Sequence, residues 1–261
     1  MNATTLESAL RRDRLLVSAA LVAAVILSWS WIVPMARDMY GPMQGASAWM
    51  MAGTWDATHV LLLFGMWVAM MVGMMLPSAA PAMLIFAAVV RRSPDAERTH
   101  LRTYAFAAGY LAIWTAFSAA ATILQRALSS QLLLSPMMEL RGRLLGALLL
   151  IIAGAYQLTP VKRACLASCR SPAAFITEHW KPGDCGAFRL GVEHGLHCLG
   201  CCWALMLLLF VGGVMNLYVI AAITVLVLIE KLAPRGAQGG RLSGCALIVI
   251  GATIIGYGLL R

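Results

Sequence analysis

The stretch ATHVLLLFGMWVAMMVGMMLPSAAPAMLIFAAVV, residues 57–90, holds one histidine and no Asp, Glu, Lys or Arg. It is longer than the roughly 20 apolar residues a helix needs to cross a bilayer. A surface helix of a soluble protein would carry a polar face, and this stretch has none. It therefore predicts a membrane span. Pro77 and Pro81 lie inside it, and each removes a backbone donor, so a kink or break is expected near 73–77. A break would make a discontinuous helix whose freed carbonyls line a site; a bend packed against neighbours is the alternative.

The same character extends along the chain. Of its residues 61% are hydrophobic and 12% charged, where a soluble domain is nearer half apolar and a quarter charged. Apolar runs at about 14–33, 57–90, 101–125, 143–160, 190–214, 217–232 and 243–260 predict an all-α, polytopic transmembrane helix bundle of about seven spans. The turn around Gly212, Gly213 and Asn216 is the weak point; without it the count becomes six. Arg11, Arg12 and Arg14 precede a first apolar run longer than a signal-peptide core, with no A-x-A pattern after it, so a retained span is expected.

Placing the N-terminus in the cytoplasm puts 15 of the 20 Lys and Arg residues on the inner side. That is the positive-inside pattern, and it accounts for a net charge of +9 without a polyanionic partner. No basic stripe with interleaved aromatics is present, so nucleic-acid binding is excluded. The expected partner is the lipid bilayer. The chain reads as a single membrane domain, 1–261, with an outer Met-rich loop at 34–56 and a cytoplasmic Cys-containing loop at 161–189. Glu230 and Lys231 end the sixth run and are expected at the membrane interface.

Chemistry concentrates in Glu193-His194-Gly195-Leu196-His197-Cys198-Leu199-Gly200-Cys201-Cys202-Trp203. On a helix, His194, Cys198 and Cys202 recur at i, i+4, i+8, and His194, His197 and Cys201 at i, i+3, i+7. All five share one broad face. Imidazole and thiolate together are ligands for Cu(I), Zn(II) or iron. Isolated cysteines in such helices are usually small apolar fillers, but five ionisable groups on one face are costly in a bilayer and point to a function. Met66, Met70 and Met74 form a line on the second span, with Met71 and Met75 beside it and His59 further out. Methionine often only fills irregular packing; its thioether is also a soft ligand that favours Cu(I). Met35, Met39, Met43, Met50 and Met51 crowd the outer loop, and Cys165 and Cys169 follow the fourth span. Seven cysteines cannot all pair within one chain, which favours thiols over a disulfide framework.

Along the expected axis, thioethers lie outward and thiols inward. That order suits a Cu(I) path, with His194, His197, Cys198, Cys201 and Cys202 as the central site. Cys165 and Cys169 would form an inner exchange site, and Met70 and Met74, with His59, the outer passage. The expected cargo is Cu(I), with zinc or iron as alternatives. A metal-donating or metal-accepting protein would be a further partner. The rival class is a membrane oxidoreductase or metal-dependent enzyme acting on a lipid-soluble substrate. No Walker A, G-x-S-x-G or H-E-x-x-H sequence supports a hydrolytic mechanism.

Three motifs carry a family resemblance: Met70-Met71-x-x-Met74-Met75-x-Pro77-Ser78-x-x-Pro81; Tyr156-Gln157-x-Thr159-Pro160-x-Lys162-x-x-Cys165-Leu166-x-x-Cys169-Arg170-x-Pro172; and Gly191-x-x-x-Gly195-x-x-Cys198-x-Gly200-Cys201-Cys202-Trp203. Together they resemble a bacterial family of unknown function described as predicted metal-binding integral membrane proteins. The resemblance spans about 55–232. It implies a bacterial inner-membrane location and a metal-linked role.

Overall fold

The computed structural model describes residues 3–41, 55–135 and 138–259. Among them every regular element is a helix; the extended backbone pairs only in a bridge between Leu134 and Leu140. In chain order they are α1 (Ala3–Met39), α2 (Ala57–Arg91), a 3-10 turn (Ala96–Arg98), α3 (Thr99–Ser130), α4 (Arg143–Gln157), α5 (Pro160–Arg170), α6 (Pro172–Glu178), α7 (Gly183–Leu207), α8 (Leu209–Gly212), α9 (Leu217–Leu232) and α10 (Gly236–Leu259).

α2 is the axis of the bundle. Asp56 starts it, its carboxylate accepting from the His59 backbone N–H at 2.7 Å. The expected break at Pro77 is absent: α2 runs on through both prolines as one helix. Pro77 leaves the carbonyl of Gly73 without its helical donor, and the indole Nε1 of Trp29 on α1 supplies one at 3.3 Å.

One end of the bundle is tied by charge. Buried Asp13 on α1 pairs with Arg91 at the end of α2 and with His100 at the start of α3, the latter at 3.2 Å. Arg98 and Arg102 reach Asp184 at the start of α7, at 3.0 and 3.3 Å. α3 and α7 then run side by side. Gly109 faces the Phe188 carbonyl and Gly191 faces the Phe106 carbonyl so closely that a methyl at either would strike backbone.

Seven spans are not what the structure holds. Among the described residues five helical segments are long and apolar enough to cross a membrane: Arg11–Met39, Ala57–Arg91, Ala96–Ser130, Gly183–Gly212 and Gly236–Gly258. Counting α4 and α5 as one bent span gives up to six. The expected fourth and sixth spans fail on length. α4 has 15 residues and α9 has 16, or about 23 Å and 24 Å at 1.5 Å per residue, against a hydrocarbon core of about 30 Å. Thr159 caps a new helix at Pro160, so the chain turns 63° after Gln157. Residues 161–189, expected as a loop, are α5, α6 and the start of α7, and α5 folds back onto α7. Of the segment 34–56, Met35 and Met39 are buried at the end of α1, and residues 42–54, with Met43, Met50 and Met51, lie outside the described residues.

Glu230 and Lys231 correct a second expectation. They are 2% and 5% exposed and point into the protein. The Glu230 carboxylate accepts from Lys162 at 2.5 Å and from Gln157 at 2.9 Å. Arg170 donates to the Glu230 carbonyl at 2.6 Å and to that of Pro234 at 2.9 Å. A buried carboxylate is tolerable only with such partners. The charges that end α9 are thus answered from within the protein.

Candidate metal centre

α7 sets the site. Its fourfold spacing points Cys198, Cys201 and Cys202 inward, each 1% exposed. Cys198 lies 15 residues into α7 (198 − 183), about 22 Å along it; Met75 lies 18 residues into α2 (75 − 57), about 27 Å, from the opposite end. The two meet near mid-height of the bundle. There the Cys202 thiol approaches the Met75 sulfur at 3.8 Å.

Cys198 is the hub. Its sulfur accepts from the Lys231 ammonium at 2.8 Å, and the same ammonium donates to the Ser78 hydroxyl at 3.0 Å. The Tyr110 hydroxyl donates to the Met75 carbonyl at 3.1 Å and stands 3.1 Å from the Cys198 sulfur. Cys169, on the folded-back α5, lies beside the side chains of Cys198 and Cys201. Four thiols from two helices, one thioether from a third and one ammonium from a fourth thus gather in a buried core.

The thiols of Cys201 and Cys202 are turned onto their own helix, donating to the Cys198 carbonyl at 3.1 and 2.8 Å. In keeping with this, no group of three or more His, Cys, Asp or Glu among the described residues stands in metal-holding geometry. The donor set fits a soft monovalent ion: thiolates and a thioether select Cu(I).

The structure divides the residues that share the α7 face. His194 is buried among Phe106, Tyr110 and Phe175, with ring centres 5.8, 5.8 and 5.3 Å away, and its Nδ1 has no partner among the described residues. His197 is half-buried and turned to Phe175 and His179 at 5.4 and 6.4 Å. Cys165 packs against Gly200, where a methyl would come 2.7 Å from its sulfur. Met70 and Met74 are fully buried on α2; Met75 is the methionine in contact with a thiol. His59 sits in the first turn of α2, edge-on to Trp55 at 4.7 Å, 11 residues and about 16 Å along the helix from Met70.

Lys231, Tyr110 and Ser78 were not singled out as site residues by sequence. The signal for Lys231 was the shortness of α9: a charge pair ending a 16-residue apolar helix has to be met inside the protein.

A family model described as PpoB2, copper chaperone, matches residues 64–254. No curated protein and no solved structure matches the chain.

Proposed function

The chain belongs to this copper chaperone family, whose model covers most of its length, and on that premise we propose that it binds Cu(I) within a bilayer and passes it on. The observation that carries the reading is the gathering of Cys169, Cys198, Cys201 and Cys202 with Met75 and Lys231 at mid-height of five helical segments able to span a membrane. Two thiolates with Cu(I) carry one negative charge, and the Lys231 ammonium balances it. A neutral assembly is what a low-dielectric interior tolerates.

The cargo moves by ligand exchange. Buried Met66, Met70 and Met74 continue from Met75 along α2 towards the end of the bundle where His59 lies. Thioethers there would hand Cu(I) to thiols that hold it more tightly. Delivery to or from a partner protein, rather than pumping, suits a chain with no sequence for nucleotide hydrolysis. A bacterial inner membrane with the N-terminus inside fits the clustering of Arg11, Arg12, Arg14, Arg91, Arg92, Arg98 and Arg102 at one end.

Protein purified in detergent under reducing conditions tests this. Anaerobic Cu(I) titration should give sulfur-ligated copper in the wild type and none in Cys198→Ser/Cys202→Ser. Equal copper in both, or none above background in the wild type, would overturn the reading.

A further inference from the structure

One turn away from the thiols, towards the start of α7, lies a second group of donors that the sulfur centre does not use. His179 ends α6 and its Nδ1 hydrogen-bonds to the Phe175 carbonyl at 3.1 Å. His197 on α7 does the same with the Glu193 carbonyl at 2.8 Å. A carbonyl only accepts, so each Nδ1 carries the proton and each Nε2 keeps its lone pair. A ring fixed in this way is the usual state of a histidine that ligates a metal through its other nitrogen. Two histidines from different helices share the arrangement, and both are half-buried.

The separation suits a shared ion. The ring centres are 6.4 Å apart. A metal held about 2.0 Å from a ring nitrogen lies about 3.2 Å from that ring's centre, and twice that distance spans the pair. Glu193, one turn before His197 on the same face, gives one oxygen to Lys181 and keeps the other, Oε2, buried without a hydrogen-bond partner among the described residues.

We propose that His179 and His197 form a second, nitrogen-ligated Cu(I) site beside Glu193, a port through which copper passes between the end of the bundle and the thiol centre. A tetrahedral ion such as zinc would need further ligands, and no third His, Cys, Asp or Glu among the described residues stands with the pair in metal-holding geometry. Cu(I) is content with two ligands. His197 is adjacent to Cys198 and one turn from Cys201, so an ion leaving the imidazoles meets thiols next. The inference rests on the copper-handling reading, but the ligands are different atoms.

Anaerobic Cu(I) titration with X-ray absorption at the copper edge tests it on the full chain in detergent. The wild type should bind two copper equivalents, one with sulfur neighbours and one with nitrogen neighbours. His179→Ala and His179→Ala/His197→Ala should each drop to one equivalent and lose the nitrogen signal; retained sulfur-bound copper shows that the chain still folds. Cys198→Ser/Cys202→Ser should show the complementary loss. Unchanged stoichiometry and spectrum in the histidine variants would overturn the port while leaving the thiol centre standing. No copper on the wild type at all would overturn both.

Discussion

The Lys231 ammonium lies 2.8 Å from the Cys198 sulfur, although the two residues sit on helices that enter the bundle from opposite ends. α7 brings the thiol from the end where Asp184 meets Arg98, and α9 brings the cation from the turn at Gly213. The contact is a charge partner built into the binding site. Lys231→Met should weaken Cu(I) binding by at least about tenfold, since the thiolate complex would be left with its charge unbalanced in a poor dielectric. Lys231→Arg should restore part of it. Competition against a Cu(I) chelator of known affinity reads both.

Cys169 should behave as part of the central site and not as a separate exchange group. Its thiol reaches Cys198 and Cys201, whereas Cys185 and Cys245 are exposed. Cys169→Ser should reduce copper retention as Cys198→Ser does. Cys185→Ser and Cys245→Ser should leave it unchanged. Metal analysis of the purified variants decides the order.

Glu230→Gln should cost the protein stability. It strips a buried cation, Lys162, of its counter-charge. Breaking a buried pair by removing one partner costs about 3 kcal/mol. The double replacement Lys162→Met/Glu230→Leu should recover much of that loss, because no lone charge remains. Thermal unfolding in detergent, followed by light scattering or tryptophan fluorescence, measures both.

Gly191→Ala should destabilise the pairing of α3 with α7. The added methyl would meet the Phe106 backbone, which cannot move without parting the helices. Gly65→Ala, on α2 with open space around it, is the control and should be neutral or slightly stabilising. A shift of the melting temperature in the first and none in the second is the expected result.

The orientation has its own measurement. Reporter fusions after residue 45 should read outside and after residue 175 inside. The reverse would place the thiols nearest the oxidising side.

Much of this was readable from sequence, and the failures are instructive. The apolar stretches showed an all-helical chain able to span a membrane, because composition over 20 residues is a strong signal. Helical spacing alone puts Cys198, Cys201 and Cys202 of α7 on one face, and all three are buried. The span count went astray because the runs read at 143–160 and 217–232 form helices of only 15 and 16 residues, too short to cross however apolar they are. Cys169 comes beside Cys198 because a 63° bend returns α5 to α7, and no period in the sequence encodes that bend. Lys231, Tyr110 and Ser78 come from three other helices, so their convergence on Cys198 is a property of packing alone.

The bond between the Trp29 indole and the Gly73 carbonyl bears on how far the protein can be trimmed. The family match begins at residue 64, which leaves α1 outside it. By that boundary α1 would pass for a dispensable attachment. Yet its Trp29 donates to a carbonyl two residues before Met75, whose sulfur lies against Cys202. Cutting the chain back to the matched segment would strip that carbonyl of its indole donor and loosen the helix at the height of the thiols. The matched segment and the working unit are different lengths of the same polypeptide, and anyone grafting this centre into another scaffold must take the first helix along.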